Sequence, residues 1–132
     1  MKYVAKADVK NYPLIEFKGN IHLIENYSEL EKCCDIICDK TIIGFDTETK
    51  PSFKKGISHN ISLIQLAVDD DVFVIRIDKI GLDKRIVDIL SNSNILKVGI
   101  DVKNDLIGLK KIYNFQEANF LDLNSLATVK GF

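Results

Sequence analysis

The stretch "TIIGFDTETKP", residues 41–51, runs an apolar segment into two carboxylates one residue apart, Asp46 and Glu48. In extended backbone, alternate positions share one face, so both acids would point the same way. Two like charges held together raise each other's pKa and weaken the fold unless a cation sits between them. Asp and Glu oxygens are hard ligands that suit Mg²⁺ or Mn²⁺. A second pair, Asp101 and Asp105, follows another apolar run, "ILKVGI". Mg²⁺ takes one or two protein carboxylates and fills its other positions with water and phosphate oxygens. A site rich in Asp and Glu, with no His or Cys at ligand spacing, therefore points to phosphoryl transfer. Taken alone, D-x-E is equally compatible with a solvated strand end.

These acids need a scaffold. "TIIGFDTET" reads as a strand, followed by a loop, "PSFKKGISHN", marked by Pro51 and Gly56. "ISLIQLAVDD" and "VFVIRI" are β-branched runs around Asp69, Asp70 and Asp71, the pattern of an antiparallel hairpin. "GLDKRIVDILSNS" repeats apolar residues at Leu82, Ile86, Ile89 and Leu90, which predicts a helix. "ILKVGI" predicts a strand and "KNDLIGLKKIYNF" a helix with Leu106, Leu109 and Ile112 facing inward. "ANFLDL" predicts a short strand, with a helix beginning at Asn124. Upstream, "IEFKGNIHLI" breaks into extended pieces at Gly19-Asn20, and Ser28 with Glu31 forms a capping-box pattern for a helix over 28–39. Strands alternating with helices predict an α/β layered domain with a mixed sheet. Sites in such sheets form past the carboxyl ends of strands, where both acidic pairs fall.

The 132 residues fit a single domain, and 46% hydrophobic against 28% charged residues excludes a disordered chain. No apolar run approaches the ~20 residues that span a bilayer, and no export segment is visible, so a cytoplasmic location is expected. The net charge of −1 gives no global attraction to nucleic acid. A polyanion must then be held by a local patch or through cations. The three cysteines, Cys33, Cys34 and Cys38, lie with Leu30 and Ile37 on one helical face and read as core rather than as a thiol metal site. His22 is expected to be exposed or satisfied by backbone, and His59 to sit at a strand start.

The combination of "GFDTET", "ISLIQLAV" and "KVGIDVKNDLIGLKK" resembles the 3′–5′ exonuclease domain of the ribonuclease D and Werner-type superfamily, which has a ribonuclease H-like fold. The resemblance runs from about Ile21 to the end of the chain. Its second motif, V-G-x-x-h-x-x-D-h-x-x-L with h apolar, is matched by Val98, Gly99, Val102, Asp105, Leu106 and Leu109. It implies that Asp46, Glu48 and Asp105 are catalytic and hold two divalent ions, Mg²⁺ or Mn²⁺, with Asp46 bridging them. The implied reaction is hydrolysis of the terminal phosphodiester at a DNA or RNA 3′ end, releasing nucleoside 5′-monophosphates. Thr47, Phe53, Lys54 and Lys55 become the candidate nucleic-acid contacts, since cations and an aromatic can meet phosphates and stack on a base.

The family's last motif, a Tyr or His four residues before an Asp on a late helix, is missing. Tyr113 and Glu117 have that spacing but fall at the end of the preceding helix. A C-terminally truncated domain is expected. Two alternatives follow: a module of the same fold that binds nucleic acid or metal without cleaving, and a haloacid-dehalogenase-type phosphatase. The second needs an Asp two residues after Asp46, where Glu48 stands, and a Gly adjacent to Asp101, which Gly99 is not.

Overall fold

A computed structural model describes residues 19–49 and 60–125. Within them the chain runs β1 (Asn20–Ile24), α1 (Tyr27–Ile37), β2 (Ile42–Thr49), β3 (Ile61–Val68), β4 (Asp71–Ile75), α2 (Ile77–Ile80), α3 (Lys84–Leu90), β5 (Leu96–Gly99), α4 (Val102–Ile112) and β6 (Phe120–Asp122), with helical residues again at 123–125, as expected near Asn124. The strands form one mixed sheet in the order β1-β4-β3-β2-β5-β6. The expected hairpin is present: β3 and β4 pair antiparallel, and Asp69 takes the left-handed conformation the tight turn requires, with φ 49°. β2 lies inside the sheet, antiparallel to β3 and parallel to β5.

Alternation sorts the sheet residues onto two unlike faces. Ile43, Phe45, Ile64, Leu66, Phe73 and Ile75 are buried on one face. There they join Leu30, Cys33 and Ile37 of α1, Ile86 and Leu90 of α3, and Leu106 and Leu109 of α4 in one core. The alternating residues face the other way, and none of them is buried; Ile42 is 59% and Ile21 69% exposed. Among the described residues, the helices therefore supply apolar cover to one face only.

Several local expectations shift. The α1 cap is Asn26, whose side-chain oxygen accepts the Glu29 N–H while the Glu29 carboxylate accepts from the Asn26 side-chain amide, so the cap sits two residues before Ser28 and is not a capping box. Starting earlier, α1 ends at Ile37, which leaves Cys38 exposed with its thiol donating to the Asp35 carbonyl rather than in the core. Cys33 is buried as expected and Cys34 half-buried. Ile112 is partly exposed at the end of α4, and Val102 takes its place among the inward residues. The four-residue α2 was not foreseen. His22 is satisfied by a carboxylate, not by backbone: Nε2 lies 2.8 Å from Asp71 Oδ1, and the ring stacks on Phe73.

Lys97 of β5 is fully buried on the helix-covered face. Its ammonium donates to the Asn92 carbonyl at 2.8 Å and stands over the Phe120 ring. Desolvation pulls its pKa down to about 8. At pH 7 the side chain is charged in both folded and unfolded states, so the full penalty is present. Between about pH 8 and 10.5 the folded chain gives up this proton first, and the penalty, on the order of 2 kcal/mol, is relieved. Burial acts oppositely on Cys33 and Cys34, pushing their thiols up to about 12 and about 11, so they weaken the fold above pH 9. The Lys97→Met difference isolates the lysine, because Asn92 keeps a second donor in the Ile95 N–H. We expect the variant's stability advantage over wild type to shrink by about 2 kcal/mol from pH 7 to pH 10 in urea unfolding. A gap that stays constant over that range would mean that Lys97 sits in the fold as comfortably charged as neutral.

Candidate active site

Asp46 and Glu48 occupy alternate positions of β2, opposite Gln65 and Leu63 of β3, on the sheet face that the described helices leave open. This is the shared orientation expected of D-x-E. Both carboxylates are exposed, and neither has a hydrogen-bond or ion-pair partner among the described residues. A shallow cavity of about 360 Å³ opens beside Asp46, lined by Gly44, Gln65, Ala67, Val72 and Val98 among others.

Thr47 points the other way. Its hydroxyl donates to Asp105 Oδ1 at 2.7 Å. Asp105 lies in the first turn of α4, which starts where β5 ends, so the strand-then-helix pattern around Gly99 carries this acid to the sheet edge. Desolvation raises the Asp105 pKa; the Thr47 bond opposes this, and the charges of Asp46, Asp101 and Asp122 add to it. The other oxygen, Oδ2, is buried without a hydrogen-bond partner. On this side a cavity of about 340 Å³ is lined by Thr47, Thr49, Asn60, Asn104, Asp105 and Lys111, with Ile61 and Gly108.

The described acids do not close into a ready-made cage: no three His, Cys, Asp or Glu side chains among them lie close enough to hold one ion. The fit to a divalent cation rests instead on Asp105. A desolvated carboxylate with an orphaned oxygen, raised further by neighbouring Asp46, lacks positive charge where hard oxygen donors already stand. Mg²⁺ keeps most of its water shell and needs only one or two such carboxylates.

The other sequence candidates fare unequally. Phe53, Lys54, Lys55 and His59 lie outside the described residues. Thr47 was expected to touch nucleic acid; it lines the cavity and also holds Asp105. Glu117 is ion-paired with Lys110 at the far end of α4, away from these acids, in keeping with its misplaced spacing. Sequence reasoning missed Asp122, whose carboxylate accepts the Asp101 N–H at 3.3 Å and the Val102 N–H at 3.0 Å at the start of α4. No motif spacing marks it, since its partners lie twenty residues earlier.

Comparisons with known proteins show the family and the fold. A 3′–5′ exonuclease from Arabidopsis thaliana is 26% identical over 139 residues, covering 96% of this chain and 48% of its own length. The mouse bifunctional 3′–5′ exonuclease/ATP-dependent helicase WRN is 25% identical over 126 residues, 91% of this chain and 9% of WRN. This chain thus spans less than half of these relatives. Among solved structures, Trypanosoma brucei RNase D in complex with GMP superposes with a TM-score of 0.75 at 19% identity, over 85% of this chain and 36% of that one. The EXD2 exonuclease domain soaked in Mg and GMP gives 0.71 at 24% identity, over 85% and 60%. Both share the fold. The 3′–5′ exonuclease family model matches residues 21–132, the whole span from β1 through α4 and beyond, which displaces the phosphatase alternative: the chain belongs to the 3′–5′ exonuclease domain family.

Proposed function

We propose that this chain is a metal-dependent 3′–5′ exonuclease domain that hydrolyses the terminal phosphodiester of DNA or RNA and releases nucleoside 5′-monophosphates. The observation that carries the reading is the orphaned, desolvated carboxylate of Asp105, held by Thr47 on the sheet face opposite Asp46 and Glu48 but within reach of the Asp46 charge. Asp46, Glu48 and Asp105 would hold two divalent cations, Mg²⁺ or Mn²⁺. When bound, the cations supply a hydroxide nucleophile near neutral pH and neutralise the leaving oxygen. The chain's own residues do the rest. Asp46 and Glu48 present anionic oxygens from one strand face. Thr47 fixes the rotamer of Asp105 and leaves Oδ2 for the site. Asn60 and Lys111 provide donors around the adjoining cavity for phosphate or base edges. Structures of similar fold are in keeping with this chemistry: EXD2 exonuclease domain crystals soaked in Mg and GMP or in Mn and GMP, and Trypanosoma brucei RNase D in complex with RNA U12.

A second reading, a module that binds nucleic acid and metal without cleaving, is favoured by one observation: no third described acid closes on Asp46 and Glu48. Digestion of 5′-labelled single- and double-stranded DNA and RNA in Mn²⁺ separates the two. The exonuclease reading expects a ladder shortening from the 3′ end with monophosphate products. Mn²⁺-dependent binding of these strands without shortening would leave the binding module. Neither shortening nor binding would overturn both.

A further inference from the structure

Resting on the metal-site reading above, we infer that Asp122 is a positioning residue for Asp105: its carboxylate replaces the missing side-chain cap of α4 and thereby sets where the third acid stands. The first N–H groups of a helix have no intrahelical acceptor, and a residue just before the helix normally supplies one. Here that residue, Asp101, cannot. It is in the left-handed conformation, φ 60°, and makes no side-chain cap bond. Its two carboxylate oxygens are instead engaged by the Asn104 amide at 3.0 and 2.9 Å.

The acceptor comes from another strand. β6 runs parallel to β5, with Asp122 opposite Gly99, so its side chain lies where β5 gives way to the helix. Oδ2 accepts the Val102 N–H at 3.0 Å, while Oδ1 accepts those of Asp101 at 3.3 Å and Asn124 at 2.9 Å. One carboxylate therefore ties the start of α4 to the helical residues that follow β6. Asp105 sits in that first turn, and its own N–H reaches the Asp101 carbonyl at a long 3.4 Å. Its position is thus set from two sides, by Thr47 through the side chain and by Asp122 through the backbone. A cation-binding carboxylate displaced by about 1 Å loses much of its affinity, and supporting contacts of this kind are typically worth about 10–100-fold.

The test is a Mn²⁺ titration, followed by the electron paramagnetic resonance signal of free Mn²⁺, of wild type, Asp122→Ala, Asp122→Asn and the core variant Ile37→Val. Ile37 is buried on α1 and touches the proposal only through stability. Asp122→Ala is expected to weaken Mn²⁺ binding at least tenfold. Asp122→Asn, which keeps one carbonyl acceptor, should fall between, and Ile37→Val should bind like wild type. Amide exchange at Val102 should be slow in wild type and fast in Asp122→Ala. Wild-type affinity in both Asp122 variants, or an equal loss in Ile37→Val, overturns the positioning role and leaves the metal reading intact. A wild type that binds no Mn²⁺ overturns the metal reading itself. Should Asp122→Ala not fold, the Asn variant and the wild-type exchange rate at Val102 decide, and an unprotected Val102 amide refutes the cap.

Discussion

Asp46→Ala should abolish Mn²⁺-dependent nucleotide release, a loss of about 10³-fold or more, without weakening the apo fold. The two halves of this expectation have one cause. Asp46 is exposed, has no partner among the described residues, and its charge raises the pKa of Asp105. Without metal it contributes repulsion, so its removal leaves thermal stability in chelator unchanged or slightly higher. On the proposed metal reading it is one of the few oxygens that would hold the cation. Wild type should therefore gain stability on adding Mn²⁺, about 2.7 kcal/mol at a hundred times the dissociation constant, and the variant should gain almost none. Glu31→Ala, an exposed acid on α1, is the control. If Asp46→Ala melts earlier in chelator and still responds to Mn²⁺ like wild type, Asp46 is a structural residue and the site lies elsewhere.

The second large effect concerns backbone rather than charge. Gly99→Ala is expected to destabilise the chain by about 3 kcal/mol. A Cβ at Gly99 would lie 2.6 Å from the Phe45 carbonyl oxygen and 3.0 Å from Val102 Cγ2, so β2 or the first turn of α4 must give way. Both carry site residues, on either side of the Thr47–Asp105 bond. Gly108→Ala is the informative contrast. Its added Cβ would approach Ile61 Cδ1 at 2.5 Å, the end of a flexible side chain, while the gain in helix propensity is about 1 kcal/mol. Gly108→Ala should be within about 1 kcal/mol of wild type in urea unfolding. Equal effects at the two positions would show that the β2–β5 approach is looser than the contact distances imply.

What could be read from the residues follows the range of the forces involved. β2, the β3–β4 hairpin and α4 are announced by short-range patterns: apolar runs, Asp-rich turns and 3.6-residue spacing. Their order was enough to place Asp105 just after β5, whereas Asp46 and Glu48, read as lying past a strand end, stand within β2, which continues to Thr49. The α1 cap went to Ser28 because Ser and Asn are both good caps three residues before a Glu, and only packing selects Asn26. Cys38 and Ile112 were placed inside by a periodicity that continues past the point where each helix stops. His22 found Asp71 across a parallel pairing of β1 with β4, a register that no local pattern encodes. Asp122 was invisible for the same reason. Its partners are backbone N–H groups, which have no residue identity to recognise.

The placement of β2 has a consequence in conformational entropy. Asp46 and Glu48 stand on a strand bonded to β3 on one side, and over Ile42–Gly44 to β5 on the other. Their Cα positions are fixed before any ligand arrives. Binding there needs to freeze only side-chain rotamers, at about 1 kcal/mol each, instead of ordering a stretch of main chain. A carboxylate pair on a loop would lose several times that on capture. The interior strand makes a site of so few ligands thermodynamically workable.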